Sequence, residues 1–182
     1  MKELSLHILD IVQNSLTAGA RHVEIFIRDS AARDLVEIVI RDDGRGMEPE
    51  LLRQVTEPFV TTRTTRKMGM GLPLFQMAAQ MADGDLRIES QVGHGTTLTV
   101  SFTRSHIDTP PLGDMAETMV TLIQGAPDVE FLYRCETDAD KLEFDTGTVR
   151  EILEDVPLNE PDVLLWIRDH IRELEASIKH EA

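Results

Sequence analysis

The run Leu35-Val36-Glu37-Ile38-Val39-Ile40-Arg41-Asp42 alternates its side chains and then breaks into Asp43-Gly44-Arg45-Gly46-Met47. In a strand, residues two apart share a face, so Val36, Ile38, Ile40 and Asp42 point the same way. Three of the four are β-branched aliphatics, which marks that face as the inner one, and Asp42 closes the row. A buried carboxylate is costly unless it is paired, and Gly44 and Gly46 let backbone approach a ligand closely. Alone, the stretch also fits a plain strand ending in an acidic turn. Its meaning depends on the motifs around it.

Residues 3–19 carry a helical pattern: Leu4, Ile8, Ile11, Val12 and Ser15 recur at three- and four-residue spacing, and Gly19 stands where a helix should stop. His7, Asp10, Asn14 and Thr17 form a second stripe, read as polar and solvent-facing. Asn is a weak helix former, and with Asp10 one turn earlier it can hold a hydrated Mg²⁺ or position a water. Two strands over 22–28 and 35–42 follow, then a short helix over 49–55. Residues 57–67 are polar, lack periodicity, and contain Arg63, Arg66 and Lys67.

Met68-Gly69-Met70-Gly71-Leu72 leads into a helix whose stripe is Leu72, Phe75/Gln76, Ala79 and Ala82. A glycine loop feeding a helix N-terminus offers free N–H groups and the positive end of the dipole to an anion. No GxxxxGK[ST] is present, and Leu74 stands where a dinucleotide fingerprint wants a third glycine. Strands over 85–91 and 97–103 flank the turn Val92-Gly93-His94-Gly95-Thr96. The order implies a four-stranded mixed sheet covered on one face by helices.

Charge divides the chain. Residues 1–104 hold 12 Lys+Arg against 14 Asp+Glu, whereas residues 105–182 hold 6 against 19. That places a boundary near 105 and argues against a nucleic-acid partner, whose affinity rests on cations. No apolar run is long enough for a membrane span, and the charged, amphipathic start does not read as a signal peptide. The lone Cys135 leaves no disulfide framework and no CxxC metal site. The expected location is the cytoplasm.

Four separated pieces resemble, in order and spacing, the gyrase/chaperone/histidine-kinase/MutL group of ATP-binding domains, which share the Bergerat α/β sandwich. They are Asp10-Ile11-Val12-Gln13-Asn14-Ser15, Asp42-Asp43-Gly44-Arg45-Gly46-Met47, Glu57-Pro58-Phe59 with Gly69-Met70-Gly71-Leu72, and Gly93-His94-Gly95-Thr96. The resemblance spans about residues 3–104. It implies ATP and Mg²⁺ as cofactors, with Asn14 on the metal, Asp42 on the adenine amino group and Thr96 nearby. Gly44, Gly46, Met47, Phe59, Gly69, Met70, Gly71 and Leu72 are implied as ATP contacts, with Arg63, Arg66 and Lys67 above the phosphates. Asp10 stands where gyrase-like members have a water-activating glutamate, one methylene longer. The Glu-Pro-Phe-x-Thr-Thr run looks most like sensor histidine kinases. Their phosphoacceptor helices have no place in this sequence, so a stand-alone domain is implied. His7 is read as a polar-face residue rather than a phosphoacceptor.

The expected fold class is α+β: the two-layer sandwich over 1–104 plus a small acidic α+β unit over 105–182, which packs on the first or meets a partner. In that unit a helix from 112 to 123, a hairpin of 129–134 with 141–145, a helix capped by Asp145 or Thr148, and a last helix capped by Asn159 are expected. Val163, Ile167, Ile171, Leu174 and Ile178 form the last stripe, and Trp166 beside it reads as core first and as an interface second. Three functions stay open: a kinase-like module acting on or with a separate protein, a slow ATPase switch, and a nucleotide-binding module without turnover. The resemblance extends to accessory proteins of iron–sulfur hydrogenase systems, which would name a class of partner.

Overall fold

The computed structural model describes residues 3–56 and 71–178. The elements are α1 (Leu4–Thr17), β1 (His22–Ser30), β2 (Leu35–Asp42), α2 (Pro49–Thr56), α3 (Gly71–Met81), β3 (Leu86–Gln91), β4 (Gly95–Thr103), α4 (Met115–Gly125), β5 (Glu130–Thr137), β6 (Lys141–Asp145), α5 (Thr146–Leu153) and α6 (Pro161–Ser177). The strands form one open mixed sheet in the order β3-β4-β2-β1-β5-β6. The sequence pattern gave four of these strands as the sheet. The structure adds β5 in parallel to β1, from His22 opposite Glu130 to Asp29 opposite Thr137, and then β6 antiparallel to β5.

Register explains the two layers. Ile88, Leu98, Ile40, Ile25, Tyr133 and Phe144 face one another across all six strands. All but Ile88 in this row are buried, and the rows above and below continue the inward face with Ile27, Ile38, Val100 and Phe131. The opposite face carries Glu24, Arg28, Glu37, Arg41, Thr97, Thr99 and Arg134, as expected of an antiparallel-rich sheet with one wet side.

Helices cover the apolar face, with α1 packed against α3 and α4, and α4 against α6. α1 buries Leu4, Ile8, Ile11 and Val12 and ends in a Schellman turn: Ala20 N–H donates to the Ser15 carbonyl at 3.1 Å and Gly19 N–H to Leu16 at 3.0 Å. Gly19 sits at φ +78°, where a side chain would be strained. Among the described residues no side chain caps the other end of α1. Its Leu4 and Ser5 N–H groups donate instead to the carbonyls of Pro111 (2.9 Å) and Leu112 (2.8 Å), which satisfies donors that every helix start leaves open.

Three local expectations change. His7 is 1% exposed, not solvent-facing, because α3 lays Phe75 on it with ring centroids 4.7 Å apart and planes 5° apart. Glu160, not Asn159, holds the N-cap position of α6, with Pro161 following it. Trp166 is 49% exposed, outside the core formed by Leu164, Ile167 and Ile171. Asp145 does cap α5, accepting from Gly147 N–H at 2.8 Å.

Candidate functional site

At one end of the sheet the inward row turns polar. Ser90, Thr96 and Asp42 are neighbours across β3, β4 and β2, and one row deeper lie Ile88, Leu98 and Ile40. The C-terminal half of α1 lies over both rows. Between them is a cavity of about 330 Å³ with walls from Ile11, Leu51, Leu72 and the deeper row, and polar groups from Asn14, Ser15, Asp42 and Thr96.

Asp42 is 8% exposed. Its Oδ2 accepts from Ser15 Oγ at 2.7 Å, and its Oδ1 accepts from the Gly44 N–H at 2.9 Å. Each oxygen keeps one lone pair for a ligand. The neighbouring carboxylate has another task. Asp43 accepts from the Arg21 and His22 N–H groups at 2.7 and 2.9 Å and meets His22 Nδ1 at 2.6 Å, which fixes the start of β1. Glu130 reaches the other ring nitrogen of His22 at 3.0 Å. The Asp43 hydrogen bond, with the charges of both carboxylates, raises the His22 pKa above its usual value against a smaller cost of burial.

Thr96 hydroxyl and Ser90 hydroxyl lie 2.8 Å apart. Gly95, which precedes Thr96, has φ +85°, and a Cβ there would fall 1.9 Å from the Asp42 carbonyl oxygen. No other residue lets β4 start so close to β2. Arg45 N–H donates to the Ala18 carbonyl at 3.0 Å, tying the Gly44/Gly46 loop to the end of α1. Gly71 opens α3 directly against Asp10, whose Cβ would be 2.8 Å from any side chain added there.

The structure therefore gathers Asn14, Asp42, Gly46, Met47, Leu72 and Thr96 around one cavity, with Gly44 on Asp42 and Gly71 on Asp10. Phe59, Arg63, Arg66, Lys67, Gly69 and Met70 lie outside the described residues. Sequence reasoning missed Ser15 as the partner of Asp42. The signal was there: a hydroxyl on an otherwise aliphatic buried stripe wants an acceptor. Arg45 and the apolar walls from Ile11, Ile40 and Leu98 were also missed as lining groups. A wider, open groove of about 640 Å³ lies across His22, Glu24, Arg41, Asp43 and His94. Its mixed charges offer no comparable enclosed surface for a flat ligand.

A carboxylate at the base of a mostly aliphatic cleft suits a planar neutral ring bearing an amino group. Among the described residues no three His, Cys, Asp or Glu side chains converge as a metal cage, and no helix is long and apolar enough to cross a membrane.

Residues 2–106 match the family model described as histidine kinase-, DNA gyrase B-, and HSP90-like ATPase. The tetrathionate sensor histidine kinase TtrS of Salmonella typhimurium is 33% identical over 99 residues, covering 52% of this chain and 16% of that protein. Sporulation kinase C of Bacillus subtilis is 30% identical over 98 residues, covering 54% of this chain and 23% of that kinase. The chain thus spans under a quarter of the length of these relatives. The Aquifex aeolicus MutL ATPase domain complexed with ADP superposes with a TM-score of 0.50 at 15% identity, over 100% of both chains, which shows the shared fold.

Proposed function

The chain belongs to the histidine kinase-, DNA gyrase B-, and HSP90-like ATPases, and from that premise we propose that residues 1–104 are a histidine-kinase-like module that binds ATP with Mg²⁺ and acts on or with a separate protein. One observation carries the nucleotide reading: Asp42, held by Ser15 and Gly44 N–H, turns its free lone pairs into an aliphatic cavity. An adenine amino group satisfies that carboxylate, while the carbonyl that guanine presents there meets it lone pair to lone pair. The start of α3 at Gly71 is built to receive phosphates, with Asn14 and Asp10 one helical turn apart beside it.

The donor set also fits the metal. Asn14 lines the cavity, and its side-chain amide has no hydrogen-bond partner among the described residues. One oxygen donor without a protein cage suits Mg²⁺, which keeps waters and shares phosphate oxygens. Bound there, the ion would neutralise triphosphate charge. Asp10 and Asn14 would hold it and its waters.

A second reading, a slow ATPase switch, is supported by the contact of Asp10 with Gly71. A carboxylate at the phosphate end is placed to orient a water, though with a shorter reach than glutamate, and misplacement by about an ångström lowers rates by on the order of 100-fold. Binding without turnover is the third. The link to iron–sulfur hydrogenase systems has support from the resemblance alone. The deciding experiment uses γ-labelled ATP and Mg²⁺ with wild type, Asp42→Asn and Asn14→Ala, with and without cell extract. Label on an extract protein supports the kinase reading, released phosphate supports the switch, and label retained on bound nucleotide supports the third. Loss of ATP binding in neither variant would refute the site.

A further inference from the structure

Helix α6 buries Leu164, Ile167 and Ile171 and ties its cations to α4: Arg172 pairs with the N-cap Asp114 and with Glu117 at 3.1 Å, and Arg168 lies 3.9 Å from Glu117. Helical spacing then puts Asp162, Leu165, Trp166, Asp169 and Glu173 on the outward face. Leu165 is 48% exposed beside Trp166. Trp166 is not loose. Its ring stacks on His170 at 5.0 Å and 8°, and His170 rests against the buried Phe144 at 6.3 Å. A large aromatic held outward by a rigid support has little rotamer entropy to lose on binding, which is the property of an interface anchor.

The approach to this face is acidic throughout. No Lys or Arg occurs between Arg150 and Arg168, while Glu151, Glu154, Asp155, Glu160 and Asp162 are all exposed. Among the described residues none of the five forms a salt bridge or a side-chain hydrogen bond; only Asp169 of the stripe is partly engaged, by Arg168 at 3.2 Å. Ile152 and Val156 are exposed within the same acidic stretch. Glu154 adopts φ 54°, ψ −109°, a strained conformation for a residue with a side chain.

We propose that the outward face of α6, with the acidic 151–162 approach, docks an amphipathic, Lys/Arg-bearing helix of another protein. Apolar side chains of that helix cover Leu165 and Trp166, and its cations meet the unpaired acids. Charge selects this occupant. A second copy would bring acid against acid, and an anionic bilayer or a nucleic acid would be repelled. This inference does not depend on the nucleotide site.

Trp166 is the single tryptophan of the chain, so its emission reports on the face directly. The probe is a fluorescein-labelled peptide of about four helical turns with leucine on one face and lysine on the other; its counterpart replaces every lysine with glutamate. We expect the lysine peptide to bind saturably, shift Trp166 emission to the blue and weaken with added salt. In anisotropy, Leu165→Ala and Trp166→Ala should each weaken it by about tenfold, and Asp155→Asn with Asp162→Asn should do so with a shallower salt dependence. Glu37→Gln with Glu89→Gln removes the same charge from the open sheet face and should change nothing. ATP affinity, measured in parallel, should stay constant in every variant, which separates this test from the nucleotide one. The proposal is overturned by equal binding of the glutamate peptide, by an unmoved Trp166 spectrum at saturation, or by anionic vesicles shifting that spectrum. Self-association abolished by Trp166→Ala would overturn it in favour of a second copy.

Discussion

Asp42→Asn isolates the nucleotide reading, because the change is isosteric and the two internal hydrogen bonds can survive it. The asparagine oxygen can replace Oδ1 and accept from Gly44 N–H, now at 2.9 Å. Its NH₂ group then faces Ser15, which turns its hydroxyl toward the Ile11 carbonyl already 3.5 Å away. Folding should change by about 1 kcal/mol or less, since no buried partner is left alone. The ligand face fares differently. The second amide hydrogen points into the cavity where the adenine amine also brings hydrogens, so a charge-assisted bond becomes a donor–donor contact. Hydrogen bonds to charged groups contribute about 1.5–3 kcal/mol, so ATP affinity should fall roughly 12- to 150-fold. The same substitution should narrow the preference over GTP, whose carbonyl accepts from an amide but not from a carboxylate. Titration calorimetry with both nucleotides and a melting curve of the free protein give all three quantities. ATP affinity within about threefold of wild type, with an unchanged melting temperature, would falsify the assignment of Asp42 as the base reader.

Gly95→Ala should destabilise the fold by about 2 kcal/mol or more and weaken nucleotide binding, because the new methyl meets the Asp42 backbone at 1.9 Å at a left-handed φ; melting temperature checks the first part. His22 and His7 should give opposite pH signatures. His22, raised by Asp43 and Glu130, contributes stability that is complete below about pH 6.5 and is lost as pH rises through its higher folded value, so His22→Gln should flatten that alkaline loss in thermal melts. His7, lowered chiefly by burial, protonates more readily unfolded, so it costs stability as pH falls below about 6.5. Neither His7 ring nitrogen has a hydrogen-bond partner among the described residues, so His7→Phe should raise the melting temperature by about 2–4 °C and remove that acid slope. Asp145→Ala removes a cap and should cost about 1 kcal/mol.

The nucleotide end of the fold is legible because its signals are local. Alternation from Val36 to Asp42 assigns the inward carboxylate without reference to any relative, and the stripe Leu72, Phe75, Ala79, Ala82 is buried as its spacing requires. The place of β5 is not local. A parallel neighbour of β1 arrives after a long crossover through α4, and nothing in His22–Ser30 names which later strand will pair with it. His7 shows the same limit. Its stripe is polar by composition, and only contact with the distant Phe75 buries this one member of it. Trp166 fails in the opposite sense, since an aromatic next to an apolar stripe looks like core until the burial of Leu164, Ile167 and Ile171 shows which way the helix has turned.

The backbone bonds from Leu4 and Ser5 to Pro111 and Leu112 also set an order of assembly. The helix bearing Asp10 and Asn14 is made before the rest of this fold, yet the acceptors for its opening amides are made about a hundred residues later, so its first turn stays solvated until the chain beyond β4 has emerged. Closing so long a loop is slow relative to forming the helix itself. In pulsed hydrogen exchange during refolding, the amides of Leu4 and Ser5 should therefore gain protection together with β5, after the middle of α1, so a turn synthesised before the sheet becomes one of the last parts of the native structure to close.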